Sequence, residues 1–298
     1  MRILLFGKNG QLGWELRRSL QGLGEVAAYD WPEVDFLAPA SLAPLVAGLG
    51  PDVVVNAAAY TDVDKAESEA ESARIINAEA PAILAGACRD AGSVFIHYST
   101  DYIFDGEKGS PYVEEDRPAP LNVYGRSKLQ GERGVLAAGG VSLIFRTAWV
   151  YSLRRDSFVT KVLRWARTQS ELHIVDDQVS NPTWARALAE VTARVLANAG
   201  PEPLSRLREC AGLYHLAGRG HTSRLDWAKA IVRFDPDPAQ ETVKAVLPAK
   251  SAAFPTPARR PPFSALDCGR FERAFGLRLP EWEESLRLAM RDGPERDG

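Results

Sequence analysis

Between Arg2 and Phe145 the chain carries five short apolar runs, Arg2–Phe6, Glu25–Tyr29, Val53–Val55, Val94–Tyr98 and Val141–Phe145, separated by longer stretches such as Leu12, Leu16 and Leu20 with helical spacing. A continuous β-branched run like Val53-Val54-Val55 has no polar face to show to water, so it must be covered on both sides. Strands joined through helices pair in parallel, because a parallel connection needs a long crossover. The alternation therefore predicts an α/β fold, a doubly wound parallel sheet with helices on both faces.

The first crossover opens on Gly7-Lys8-Asn9-Gly10-Gln11-Leu12-Gly13. Glycines at a strand-to-helix turn let the backbone approach a pyrophosphate, whose charge is favoured at the helix amino end. The spacing is not the commonest dinucleotide fingerprint, and a tight turn before a closely packed helix would also account for it. Its place at the head of the alternation favours the dinucleotide reading, hence a Rossmann-type sheet. Asp30, ending the second run, can accept hydrogen bonds from adenosine ribose hydroxyls and would repel a 2′-phosphate, which leans towards NADH. Asp35 and Phe36 follow where a carboxylate and a ring could flank adenine; a surface acid and a core ring fit as well. Asn56-Ala57-Ala58-Ala59 supplies small side chains for a close approach, to a cofactor or between helix and sheet.

Tyr124 and Lys128 are four apart in Tyr124-Gly125-Arg126-Ser127-Lys128, one helical turn, so phenol and ammonium can share a face. A positive charge about 4 Å from a phenol favours phenolate by up to roughly 4 kcal/mol at an effective dielectric near 20. That would bring a group with a usual pKa of about 10 towards working pH. Chance produces such pairs often, but Ser99-Thr100 at the end of the fourth run supplies a second hydroxyl for the same site. Pro111, Pro118 and Pro120 make 105–122 a long loop over it, and Trp149, after the fifth run, should face the cleft and cover the apolar face of a sugar. For Trp14, Trp31, Trp165, Trp227 and Trp282 packing is the default, and His97 reads as a core histidine.

A net charge of −3 with no basic block argues against nucleic acid as a partner. Cys88, Cys210 and Cys268 offer neither a disulfide framework nor a metal pair and point to the cytoplasm, and no apolar run approaches a membrane span. Beyond residue 150, Leu172–Val175 and Leu213–Leu216 read as further strands of the same sheet with a helix over 183–198 between them, and 63–90 should be helical. Helices over 158–165, 225–234 and 282–290, with the Pro-rich 255–262, read as a smaller α+β lobe interleaved with the first. The expected division is residues 1–150 plus about 171–217 for the dinucleotide domain, about 151–170 plus 218–291 for the substrate lobe, and a frayed tail over 292–298.

With these residues in place, the chain resembles the extended short-chain dehydrogenase/reductases, and within them the dTDP-4-dehydrorhamnose reductase family. The likeness is carried by Gly7–Leu16, Val55–Glu67, Tyr98–Phe104, Asn122–Lys128, Arg146–Tyr151 and Pro255–Pro261. It implies reduction of the C4 ketone of a dTDP-sugar by NADPH or NADH, with Tyr124 giving the proton, Thr100 a hydrogen bond, and Lys128 holding the nicotinamide ribose. It also implies that Gly10, Gln11 and Leu12 lie under the pyrophosphate; that Asp30, Asp35 and Phe36 serve the adenosine; that Ala59, Tyr60, Thr61 and Tyr98 line the cofactor path; and that Thr100, Asp101, Trp149 and, near the diphosphate, Arg260 meet the substrate. Some members form Mg²⁺-bridged dimers. Glu15 matches one of their acids, but Arg186 stands where another would align, so no metal site is carried over, and the assembly is monomer or homodimer. Related 4,6-dehydratases carry Thr-Asp-Glu where Thr100-Asp101 here precedes Tyr102, which disfavours dehydration. A 4-epimerase, another nucleotide-sugar 4-ketoreductase, or a regulatory subunit like the β-subunit of methionine adenosyltransferase are the rival readings.

Overall fold

The computed structural model describes residues 1–292, and the five apolar runs are strands in it: Arg2–Phe6 (β1), Glu25–Tyr29 (β2), Val53–Asn56 (β3), Val94–Thr100 (β4) and Val141–Thr147 (β5). With Gly212–His215 they form one sheet in the order Gly212–His215, β5, β4, β3, β1, β2, every pair parallel. All residues of β3, β4 and β5 are buried, as continuous apolar runs require. One face, through Leu5, Val55 and Ile96, packs on Gln11–Leu20 (α1) and the helix Ala185–Ala199; the other, through Leu4, Val54 and Phe95, packs on Leu42–Leu49, Ala80–Ala91 and Val123–Ala138. Each such side chain contributes about 1.5–3 kcal/mol by leaving water. Because β2 lies on one side of β1 and β3 on the other, the carboxyl ends of β1 and β3 flank the point where the winding reverses, where such sheets take ligands.

Several expectations need correction. Leu172–Val175 is not in the main sheet: Glu171–Val175 pairs in parallel with Ala245–Ala249, so this part of the expected dinucleotide domain belongs to the second lobe. Its alternation, with Leu172 and Ile174 buried and Glu171 and His173 exposed, is that of a half-covered strand rather than a central one. The expected helix over 63–90 is interrupted, running as a 3₁₀ turn Lys65–Glu67, a short helix Ala70–Arg74, a π turn Ile75–Glu79 and the helix Ala80–Ala91. The helix expected over 183–198 starts later, at Ala185, because Thr183-Trp184 is drawn into a parallel bridge with Val150-Tyr151. Trp31, expected to pack, is 67% exposed. Of the expected tail, residues 293–298 lie outside the described residues.

The second lobe has its own core. Val159 and Val162 from the helix Phe158–Thr168, Trp227 and Ile231 from Arg224–Arg233, and Leu286 from Trp282–Asp292 close around Leu172 and Ile174. Its helices face the carboxyl end of β5 through Trp149, stacked on Trp227 at 5.4 Å with 11° between the rings.

Candidate active site

The glycine turn sits at the switch point, and each glycine has a separate cause. Gly7 has φ of +85°, and a Cβ there would come within 2.6 Å of the Ala58 nitrogen, at the end of β3. A Cβ on Gly13 would sit 1.8 Å from the Gly7 carbonyl oxygen, so the first turn of α1 lies directly on the loop. Gly10 caps α1 with no side-chain hydrogen bond, which leaves the amino-end N–H groups for a ligand. A cradle of backbone with no room for Cβ atoms, opening on bare helix amides, fits a dinucleotide pyrophosphate. Gln11 accepts from the Ser152 N–H at 2.7 Å, tying the loop to the segment after β5, and Leu12 is buried.

The Asp30 carboxylate takes the N–H groups of Asn9 and Trp31, each at 2.8 Å, so its charge is fixed at the tip of β2 beside the loop. Asp35 accepts from the Leu37 N–H at 2.8 Å, and Phe36 packs edge-on to Phe6 at 5.5 Å. Tyr60 gives its hydroxyl to Glu69 at 2.7 Å, and burial with that carboxylate pushes the phenol up to about 12. Its N–H goes to Asn77, whose amide also donates to Ser127 on the helix Val123–Ala138. Ala59 and Thr61 flank it in the irregular segment after β3. Tyr98 turns its ring into the core, its hydroxyl sharing a hydrogen bond with Thr192 at 2.8 Å, so only its backbone faces the cleft.

Asn122 caps the helix Val123–Ala138 by accepting the Gly125 N–H, and Gly125 is forced because a Cβ would fall 2.2 Å from the Tyr102 carbonyl oxygen. That contact sets Tyr124 beside the 3₁₀ turn after β4, where the Thr100 hydroxyl is near enough to act on its phenol and its ring stands edge-on to Tyr102 at 6.0 Å. Thr100 has one proton, and it goes to Asp101 at 3.2 Å, while the Tyr102 N–H occupies one of its lone pairs. Asp101, 2% exposed, also accepts from Ser180 and Ser264, and burial raises it to about 6 against the pull of these hydroxyls.

Lys128 departs from expectation. Burial pushes the Tyr124 phenol above its usual range, the Thr100 hydroxyl opposes this, and Lys128 takes no part in the shift. Its Nζ donates to the Tyr98 carbonyl at 2.6 Å and lies 3.3 Å from His97 Nε2. The Ala58 N–H can only donate and gives its proton to Asn56 Oδ1, which turns Asn56 Nδ2 onto His97 Nδ1 at 3.2 Å. His97 Nδ1 is then an acceptor and Nε2 carries the ring proton, so the Nε2 contact is a hydrogen bond to the neutral amine form of Lys128. Burial pulls Lys128 down to about 8, in agreement with that direction of hydrogen bonding, and holds His97 well below its usual value. The expected core histidine is thus buried, and it also links the loop after β3 to Lys128. No sequence pattern distinguishes this from ordinary packing.

At the substrate side, Trp149 is half-buried with φ of +40°. Arg260 pairs with both oxygens of Asp64, at 2.9 and 2.6 Å, instead of standing free. Arg224, which no motif marked, lies 3.7 Å over the Trp149 ring. The one available signal was an arginine in the first turn of a helix, where the macrodipole disfavours it. Away from the cleft, the Arg186 guanidinium is 3.6 Å from Glu15, a cation where the metal reading would need an acid.

A family described as RmlD substrate binding domain matches residues 1–293. A dTDP-4-dehydrorhamnose reductase of Burkholderia thailandensis is 46% identical over 98% of this chain and 99% of its own. Solved dTDP-4-dehydrorhamnose reductases from Clostridium acetobutylicum (36% identity, TM-score 0.89) and, in complex with NADP, from Bacillus anthracis (30% identity, TM-score 0.88) each cover 98% of this chain and 99% of their own.

Proposed function

The chain belongs to the RmlD substrate binding domain family, and on that footing we propose that it reduces the C4 ketone of dTDP-4-dehydro-L-rhamnose to give dTDP-L-rhamnose, the last step of dTDP-rhamnose synthesis, using NADPH or NADH. The observation that carries the reading is the joining of Tyr124, Thr100 and Lys128 at the carboxyl end of β4, linked through His97 and Asn56 to the loop against which Gly7 packs.

Bound reduced nicotinamide supplies the hydride. The chain's own groups supply the rest. Negative charge grows on the ketone oxygen during reduction, and donors already aimed at it stabilise the transition state more than the ground state. Tyr124 gives the proton to the ketone oxygen. Thr100, held by the Tyr102 N–H and Asp101, turns its own proton to the same atom. Lys128 holds the nicotinamide ribose and, as an amine already hydrogen-bonded on its far side, can take up and pass on a proton. Gly10, Gln11 and Leu12 lie under the pyrophosphate; Asp30, Asp35 and Phe36 serve the adenosine; Ala59, Tyr60 and Thr61, with the Tyr98 backbone, line the path between. Asp101 and Trp149 meet the sugar and Arg260 the diphosphate. The fixed Asp30 charge works against a 2′-phosphate, so turnover should favour NADH.

The test is an assay of cofactor oxidation by the purified chain with enzymatically prepared dTDP-4-dehydro-L-rhamnose, run with each nicotinamide in turn. One cofactor oxidised per sugar reduced is the expected result. A cofactor that stays bound and recycles means an epimerase, and no oxidation with either nicotinamide ends the reductase reading.

A further inference from the structure

Arg224 opens the helix Arg224–Arg233 behind its Ser223 cap, half-buried among three rings: Trp149 at 3.7 Å, Phe158 at 4.7 Å and Trp227 at 5.4 Å. Its charge and that of Arg260 both act on the Tyr102 phenol. The charges of the two guanidinium groups are compensated unequally. Asp64 pairs with Arg260 through both oxygens. Among the described residues no carboxylate comes within ion-pair distance of Arg224: Asp101, whose charge it feels, spends its oxygens on Thr100, Ser180 and Ser264. Burial draws the guanidinium's pKa down. A cation held in a half-dry aromatic cleft without a counter-charge costs desolvation energy that an arriving anion would offset.

The neighbours give the anion its place. Trp149, on which the guanidinium stacks, is the ring expected to face the sugar. Phe158 also lines an apolar cavity with Trp165, Leu172, Ile174 and Phe254, where a flat base could lie. Arg224 stands between the two. We infer that Arg224 binds the diphosphate of the sugar nucleotide, forming with Arg260 a two-arginine clamp. The inference rests on the proposed reading for the identity of the ligand, and on the geometry for the role of the residue.

The test is calorimetric titration of the full chain, with NADH present, by dTDP, UDP, GDP and thymidine. Wild type should bind dTDP much more tightly than thymidine. Arg224→Gln should weaken dTDP about 10- to 100-fold, the loss of charge-assisted hydrogen bonds, and leave thymidine and NADH affinities unchanged, with KM for the sugar nucleotide rising more than kcat falls. Arg224→Lys should restore part of the loss. Should Gln weaken the fold, Arg224→Met keeps an apolar stem over Trp149 and carries the same expectation. An unchanged dTDP affinity, or equal losses for dTDP and thymidine, would make the residue a packing element only and overturn the clamp. Arg224-dependent binding of UDP or GDP in place of dTDP upholds the clamp while refuting the dTDP reading, and no binding of any nucleoside diphosphate refutes both.

Discussion

Lys128 gives the sharpest test of the site's electrostatics. Its side chain is 2% exposed, and its pKa falls from 10.5 to about 8 because burial disfavours the ammonium. A drop of that size corresponds to about 3 kcal/mol at about 1.4 kcal/mol per unit. The sign follows from proton binding. Between about pH 8 and 10.5 the unfolded chain holds a proton on Lys128 that the folded chain has lost, so this residue's contribution to stability rises with pH across that window. Below the folded value both states are charged and the full burial cost applies. Replacement by methionine, which keeps the length but not the charge, should remove the dependence.

Urea unfolding of wild type and Lys128→Met at a series of pH values measures it. From pH 8 to pH 10 wild type should gain about 2 kcal/mol on the variant. Buried phenols and thiols such as Tyr98, Tyr124 and Cys88, all pushed upward, titrate alike in both proteins and cancel in the difference. The Tyr98 carbonyl and His97, left without their partner, add an offset that does not change with pH, since His97 stays neutral throughout. A difference that stays flat from pH 8 to pH 10 would refute the reasoning, because Lys128 would then be an ordinary ammonium and the hydrogen-bond direction through Asn56 and His97 would be misread.

Three further outcomes are expected. Tyr124→Phe should lower kcat about 10²- to 10⁴-fold with nicotinamide affinity unchanged in a binding titration; near-normal turnover would remove the phenol from its role. Gly13→Ala, whose methyl group would meet the Gly7 carbonyl at 1.8 Å, should cost about 1–3 kcal/mol of stability and weaken nicotinamide binding, read by denaturant melts and fluorescence titration. Arg146→Met should destabilise the fold by about 3–5 kcal/mol in the same melts, because it leaves the 2%-exposed Glu132 carboxylate without the guanidinium now 2.8 Å away.

Much of the architecture was legible because its determinants are local. The continuous apolar runs required strands covered on both faces, and the glycines at 7 and 13 announced a backbone contact that side chains would prevent. Helical spacing put Tyr124 and Lys128 one turn apart, and the strand-end hydroxyl of Thr100 lay at hand. Pairing partners were less legible. Glu171–Val175 could be recognised as a strand, but its neighbour lies some seventy residues onward at Ala245–Ala249, and no local pattern names it.

The sequence by itself determined the doubly wound sheet, the glycine cradle and the phenol, hydroxyl and amine of the site, since period and backbone sterics act between residues close along the chain. Tertiary structure alone decided what those groups do to one another. Desolvation and hydrogen-bond direction depend on everything packed around an atom, so Lys128 faces His97 and the Tyr98 carbonyl and leaves the acidity of Tyr124 to burial and Thr100. For the same reason Arg224 came into view only when the second lobe closed on Trp149.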